Sequence, residues 1–203
     1  MKEQENNKVT LSGEVVEEPK FSHYSFGEKV YECKIRVLRL SNTYDILPVL
    51  MTEELVNNGA IVVGETISIT GQFRSYNKIV NEKSKLVLSV AAKQILQETP
   101  KQPNEIVLSG YICKPPVYRT TPLNREIGDL LIAVNREFRK TDYIPCIAWG
   151  RNARFVKDLQ VGERITIKGR IQSREYQKRI SETETKTMTA YEVSISNLSV
   201  GEG

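Results

Sequence analysis

Four aromatic residues in the second half of the chain lie within a few positions of an arginine or a lysine. The only tryptophan stands in the segment "YIPCIAWGRNARF", at the end of an apolar run and against a basic turn. An aromatic ring can stack on the face of an unpaired base while nearby cations contact the phosphates. The candidate stacking residues of such a surface are Phe138, Tyr143, Trp149 and Tyr176.

The positive charge that this chemistry requires is concentrated in the same half. Residues 1–100 contain 12 Lys and Arg against 13 Asp and Glu, whereas residues 101–203 contain 17 against 12. Clustered cations favour a polyanionic partner, although a basic face can also be simply solvated. The candidate phosphate contacts are Arg136, Arg139, Lys140, Arg151, Arg154, Arg174 and Lys178.

The elements that must position these residues are written twice along the chain. The segment "VTLSGEV" at 9–15 corresponds to "IVLSGYI" at 106–112, an offset of 97 residues. Farther along, "VGETISITGQFRS" at 63–75 corresponds to "VGERITIKGRIQS" at 161–173, an offset of 98. The last strands align at an offset of 103, so the second copy has a longer loop. A repeat of this length predicts two similar domains.

The repeat provides a control on whether Trp149 fills a core or forms a stacking surface. The residues aligned with Phe138, Tyr143 and Trp149 in the first copy are Ser41, Ile46 and Thr52. The apolar framework is kept between the copies and these aromatics are not, which favours a surface role. For Tyr176 the comparison is less decisive, because Tyr76 lies near the corresponding position.

Alternating apolar residues, with Gly or Pro near the ends, predict five strands in each copy. In the second copy, Ala153, Val156 and Leu159 recur every third residue before Gly162, which predicts a short amphipathic helix ahead of the fourth strand. This order is typical of the OB-fold. We therefore predict an all-β protein with one short helix per domain: two tandem five-stranded OB-fold barrels.

The predicted domains are residues 1–96 and 106–203, joined by a linker at 97–105 that contains two prolines and no apolar run. Because the second copy carries the aromatics and most of the charge, we expect it to hold the binding surface. We expect the degenerate first copy to be structural, to support dimerisation, or to extend the path of a bound strand.

The sequence carries none of the strings that indicate other functional classes. There is one histidine, His23, and no metalloprotease, nucleophile-elbow, phosphate-loop or dinucleotide-binding motif. The three cysteines lack paired spacing and are interpreted as small buried hydrophobes. We therefore expect no enzymatic activity, no metal and no cofactor. No apolar run is long enough for a membrane span, and the polar N-terminus favours a cytoplasmic, nucleoid-associated location.

The segment from Asp129 to Tyr176, "DLLIAVNREFRKTDYIPCIAWGRNARFVKDLQVGERITIKGRIQSREY", resembles the bacterial single-stranded-DNA-binding protein family. The resemblance rests on the "AWGK"-like turn, the helix and the "GxIQSRxY"-like segment. It implies OB-folds that wrap single-stranded DNA in assemblies of four such domains, and stacking positions that match the same four aromatics. Members of the family usually carry an acidic C-terminal tail that recruits replication and repair proteins; because the sequence ends in "ISNLSVGEG" soon after the last predicted strand, we expect no recruitment through such a tail.

Together, the residues and the resemblance predict a protein that binds single-stranded DNA without strong sequence preference, in replication, recombination or repair. By analogy, a homodimer would reach four OB domains. A primosome-like protein-interaction module with weak nucleic-acid binding is the alternative. RNA binding also remains open, because stacking does not distinguish the two sugars.

Overall fold

A computed structural model describes residues 6–59, 61–80 and 82–201. The outermost residues of both predicted domains, 1–5 and 202–203, lie outside the described residues. The first barrel contains five strands and a helix before the fourth: β1 (Asn7–Ser25), β2 (Glu28–Leu38), β3 (Tyr44–Thr52), α1 (Glu53–Gly59), β4 (Thr66–Val80) and β5 (Lys83–Ile95). It closes because β1 pairs with both β2 and β4, while β3 pairs in parallel with β5.

The second barrel repeats this plan, with β6 paired to both β8 and β10 and with β9 paired in parallel to β11. Its elements are β6 (Asn104–Ile112), β7 (Val117–Thr120), β8 (Glu126–Asn135), a 3₁₀ turn (Glu137–Arg139), β9 (Thr141–Trp149), α2 (Arg151–Val156), β10 (Arg164–Arg179) and β11 (Thr185–Val200). The prediction of two tandem OB-fold barrels with few, short helices is confirmed. Strand β6 begins at Asn104, inside the segment predicted as the linker.

Two details differ from the sequence prediction. The second barrel contains an additional short strand, β7, because the consecutive Pro115 and Pro116 lack the N–H groups that a continuous strand would use. The first copy has only Pro19 in this region, and β1 continues through it with register shifts. Helix α2 also ends at Val156 rather than reaching Leu159, although Leu159 still packs against the core.

The cores are built from the inward residues of each strand, and both barrels need a glycine where one strand turns between two neighbours. A Cβ at Gly13 would lie 2.5 Å from the carbonyl oxygen of Arg36, and one at Gly110 would lie 2.4 Å from that of Ala133. No side chain fits at such distances. This close approach explains why the glycine of "LSG" occurs in both copies of the repeat.

The two barrels form one continuous sheet through antiparallel pairing of β1 with β6. In this pairing Val9 lies opposite Ile106, which is its own counterpart in the repeat. An antiparallel pair centred on equivalent residues relates the two barrels by an approximate twofold axis. The chain therefore contains, within one molecule, the arrangement of a symmetric dimer.

Two fully buried carboxylates fasten the barrels on either side of this axis. Asp45 of β3 accepts hydrogen bonds from the backbone N–H of Ser173 in β10, at 2.7 Å, and from its hydroxyl, at 3.1 Å. Asp142 of β9 accepts the backbone N–H of Ser75 in β4, at 2.8 Å. Each aspartate thus satisfies a donor in the opposite barrel, which fixes how the two barrels are oriented.

Candidate nucleic-acid interface

Trp149 lies on the outward side of β9 with 39% of its surface exposed, and it is not part of the hydrophobic core. The next residue, Gly150, has φ 54° and ψ −120°, a conformation that favours glycine and turns the chain from β9 into α2. Two exposed arginines of α2, Arg151 and Arg154, follow Trp149 within five residues. The order Trp-Gly-Arg therefore reflects a strand end where a flat ring and cations emerge together.

Tyr143 is exposed on the same side of β9, six residues before Trp149. At about 3.3 Å per residue, the two side chains are about 20 Å apart along the strand, so they would contact different bases of one strand. Tyr143 lies opposite Ala133 in β8, and Ala133 lies opposite the exposed Tyr111 in β6. Tyr111 was not among the predicted residues. Its only signal is an aromatic residue at an outward position of the repeated "LSG" strand.

Phe138 lies in the 3₁₀ turn between β8 and β9, with 79% of its surface exposed. Its backbone is left-handed, with φ 58° and ψ 34°, and Arg139 follows with φ 56°. In the first copy the residue aligned with Arg139 is Asn42, at φ 61°, and asparagine tolerates this region well. A bulky ring in this conformation and in solvent contributes little to folding, which is consistent with a functional role.

Tyr176 lies on the part of the β10–β11 hairpin where the side chains of both strands are mostly exposed. The guanidinium of Arg174 stands 6.0 Å from the centre of its ring, within the range of a cation–π contact. Lys178 follows on the same strand face. The hairpin therefore presents a ring and two cations.

The predicted cations differ in whether a carboxylate is already near them. Arg136 lies 3.3 Å from Asp142, Arg154 lies 3.5 Å from Glu126, and Arg174 lies 3.8 Å from Glu192. The remaining predicted cations have no carboxylate within 4.0 Å in the described parts of the chain. They are Arg139, Lys140, Arg151 and Lys178. The second group is the more available to phosphates, because no internal ion pair has to be broken.

The first barrel also exposes aromatic residues that the sequence comparison did not select. Phe26 occupies the β1–β2 turn, and the ammonium of Lys140 in the second barrel lies 5.9 Å from the centre of its ring. Tyr44 and Tyr76 are exposed as well, and the guanidinium of Arg36 lies 5.6 Å from the Tyr44 ring. A two-residue hairpin turn written Phe-Gly was the available signal for Phe26, because a large apolar residue is unusual there.

Other chemistry has little support in the described residues. Three or more potential metal ligands are nowhere grouped among them, and none of their helices is long and apolar enough to cross a membrane. His23 is exposed and lies 3.1 Å from the hydroxyl of Ser22. Cys33 and Cys146 are buried, as interpreted from the sequence, whereas Cys113 is only half-buried. Burial raises the pKa of the Cys33 thiol to about 12.

The second barrel is similar in sequence to known proteins. Residues 103–199 match the sequence model described as "Single-strand binding protein family". A "Single-stranded DNA-binding protein 1" of Lactococcus lactis subsp. lactis (strain IL1403) is 38% identical over 81 residues, which are 36% of this chain and 54% of that protein. The "Single-stranded DNA-binding protein A" of Bacillus subtilis (strain 168) is 36% identical over 81 residues, 36% of this chain and 47% of that protein. The chain thus spans about half the length of these curated relatives.

The fold has a solved counterpart over nearly its whole length. The crystal structure of the wild-type single-stranded DNA binding protein from Thermus aquaticus matches with a TM-score of 0.72, covering 97% of this chain and 93% of that one, at 20% identity. At this identity the match concerns the fold alone. It shows that two OB-folds joined in this way occur in another protein.

Proposed function

We propose that the chain binds single-stranded DNA without strong sequence preference, because residues 103–199 match the sequence model of the single-strand binding protein family. The observation that carries the proposal is the exposure of all four predicted aromatics on one barrel, which also carries the predicted cations. Rings in solvent lose the hydrophobic benefit of burial, and bases of an unpaired strand restore it by stacking.

The proposed mechanism has the strand follow the outward side of the second barrel. Tyr143 and Trp149 would stack on bases about 20 Å apart along β9, Phe138 would extend the surface at one end, and Tyr176 would add a ring on the hairpin. Every base has a flat face, so stacking of this kind carries little sequence preference.

The phosphates would be contacted by two sets of cations. Arg139, Lys140, Arg151 and Lys178 would bind them directly, whereas Arg136, Arg154 and Arg174 would share their charge between a phosphate and a carboxylate of the barrel. Counterion release then makes the affinity salt-dependent, with a log–log slope of about −0.7 for each phosphate neutralised on a single strand.

In the cell, the proposal places the chain on unpaired DNA during replication, recombination or repair, in the cytoplasm and at the nucleoid. It acts there by covering the strand and has no catalytic role. Because one chain already holds two barrels, a homodimer would present four OB domains to the strand. Its protein partners would be replication or repair proteins.

The test uses the single tryptophan as a reporter. We would excite Trp149 selectively and titrate the protein with oligothymidine at low and high salt. The expected result is strong quenching that weakens with salt along the slope given above. Failure to quench, together with failure to bind in a gel-shift assay, would refute the proposal and favour the protein-interaction module. Competition with matched RNA oligomers then decides between DNA and RNA.

A further inference from the structure

The two barrels meet at two junctions, one at Asp142 and one at Asp45. A cleft of about 180 Å³ lies at the Asp142 junction. Both barrels contribute to it. The first barrel supplies Phe26 and Arg74, and the second supplies Arg136, Phe138 and Lys140. The sequence does not bring the residues of the two barrels together, because even Arg74 and Arg136 are 62 residues apart in the chain.

Burial does not explain why residue 26 is a phenylalanine. It is 95% exposed, and it occupies the two-residue turn between β1 and β2 with φ 49°, followed by Gly27 with φ 83°. A turn with positive φ at both central residues favours Asn-Gly, because a side chain on the first residue is strained there. The ring therefore adds backbone strain without adding buried apolar surface.

Phe138 on the opposite wall repeats this combination. It is largely exposed, and its φ is 58°. Two phenylalanines in left-handed turns, from different barrels, line one cleft. Strain of this kind persists where function requires it, and a ligand that covers both rings would supply the missing burial.

The charge of the cleft is suited to a polyanion. Asp142 is fully buried and is shared by Arg74, at 2.8 Å, and Arg136, at 3.3 Å, so two guanidiniums are balanced by one carboxylate. Lys140 lies over the Phe26 ring. Glu137 also lines the cleft and offsets one of these charges, but cations outnumber it.

The approximate twofold axis generates a second junction that serves as an internal control. There Asp45 replaces Asp142, and Arg39 binds it through Nε at 2.7 Å. By the repeat offset of 97, the residues corresponding to Phe26, Phe138 and Lys140 are Leu123, Ser41 and Thr43. A buried aspartate that binds an arginine and the opposite barrel is therefore present at both junctions, whereas the two rings and the lysine occur at only one.

The cleft continues onto the first barrel. A larger groove of about 930 Å³ shares Phe26, Arg74, Arg136 and Lys140 with it and extends along β4 past the exposed Tyr76. Single-stranded DNA that leaves the second barrel at Phe138 would therefore reach a second aromatic surface directly.

We propose that this junction carries single-stranded DNA from the second barrel onto the first, with Phe26 as a base-stacking residue of the first barrel. The proposal rests on the proposed function of the second barrel. It makes the first barrel part of the binding surface rather than a structural support alone. Arg74, Arg136 and Lys140 contact the phosphates of the nucleotides in the cleft.

The test compares two substitutions at corresponding turns, Phe26→Asn and Leu123→Asn, in the full chain. Leu123 is the matched control, because it is also an exposed apolar turn residue, with 80% of its surface accessible. Binding of a long oligothymidine is measured by fluorescence anisotropy. We expect Phe26→Asn to weaken binding at least about fivefold, as loss of one stacked base does, and Leu123→Asn to leave it unchanged.

Direct contact is measured by photo-crosslinking the unsubstituted protein to oligomers that contain 5-iododeoxyuridine, with the sites mapped by mass spectrometry. We expect a crosslink at Phe26 in addition to those on the second barrel. Unchanged affinity of Phe26→Asn, or no crosslink within residues 21–31, overturns the inference while binding through the second barrel stands. If the unsubstituted protein does not bind oligothymidine, the proposed function fails as well.

Discussion

Replacing Phe26 by asparagine is predicted to stabilise the protein while weakening its binding to single-stranded DNA. The substitution converts the turn Phe26-Gly27 into Asn-Gly, the pair preferred where both central residues have positive φ. Because 95% of the phenylalanine is exposed, its removal exposes almost no core. The two properties are therefore expected to change in opposite directions.

The expected change in stability follows from two opposing terms. A left-handed conformation costs a bulky residue about 1–2 kcal/mol, and asparagine relieves most of that strain. The contact between Lys140 and the ring is lost, which removes about 0.5–1 kcal/mol for an exposed cation–π pair. The net gain is about 0.5–1 kcal/mol. For a chain of this size it corresponds to a rise in Tm of about 1–4 °C.

The assay pairs thermal unfolding, followed by circular dichroism without DNA, with oligothymidine binding on the same preparation. We expect Tm to rise and the affinity for oligothymidine to fall. A Tm that drops by several degrees would show that the ring contributes to the fold, and the argument from exposure and strain would be refuted. A higher Tm with unchanged affinity would show that the strain serves no binding role.

Three further predictions concern other parts of the molecule. Trp149→Ala should weaken oligothymidine binding by about 1–3 kcal/mol, as measured by anisotropy, whereas Phe155→Ala, an exposed ring on α2, should not; equal effects would contradict a specific stacking role. Asp142→Ala should lower the free energy of unfolding in urea by about 3–5 kcal/mol, because it leaves two half-buried guanidiniums and the Ser75 N–H without their shared acceptor. A loss below about 1 kcal/mol would show that the carboxylate does not hold the two barrels together. Burial raises the pKa of the Cys33 thiol from 9.0 to about 12, so its contribution to stability is complete below pH 9 and should be lost as pH rises from there to about 12. Cys33→Ala should flatten this part of the profile of stability against pH. In native protein at pH 8, a thiol reagent should modify the half-buried Cys113 before the other two cysteines.

The fold could be predicted because its determinants are local and repeated. Strands with one face inward alternate apolar and polar residues, and the two copies supplied the same pattern twice, as in "VTLSGEV" and "IVLSGYI". The extra strand β7 and the early end of α2 were not anticipated. A break at Pro115-Pro116 depends on whether a bulge can absorb it, and the length of α2 depends on how Leu159 reaches the core.

The candidate site was predictable only for the residues on one barrel. Aligning the copies separated aromatics that pack from aromatics that do not, and this comparison selected Trp149, which the structure places outside the core. Tyr111 was missed because its outward position follows from barrel closure. The proximity of Arg136 to Asp142 was also invisible in the sequence, although it reduces how freely that arginine can contact a phosphate.

The sequence by itself thus determined two barrels, their strand order and a cationic, aromatic surface on the second, because alternation and composition act over a few residues. Only the tertiary structure decided how the barrels face each other. The pairing of Val9 with Ile106 and the buried Asp45 and Asp142 set that orientation. Phe26 and Lys140 come from different copies, and they meet because contacts between the barrels, rather than any local pattern, hold them 5.9 Å apart.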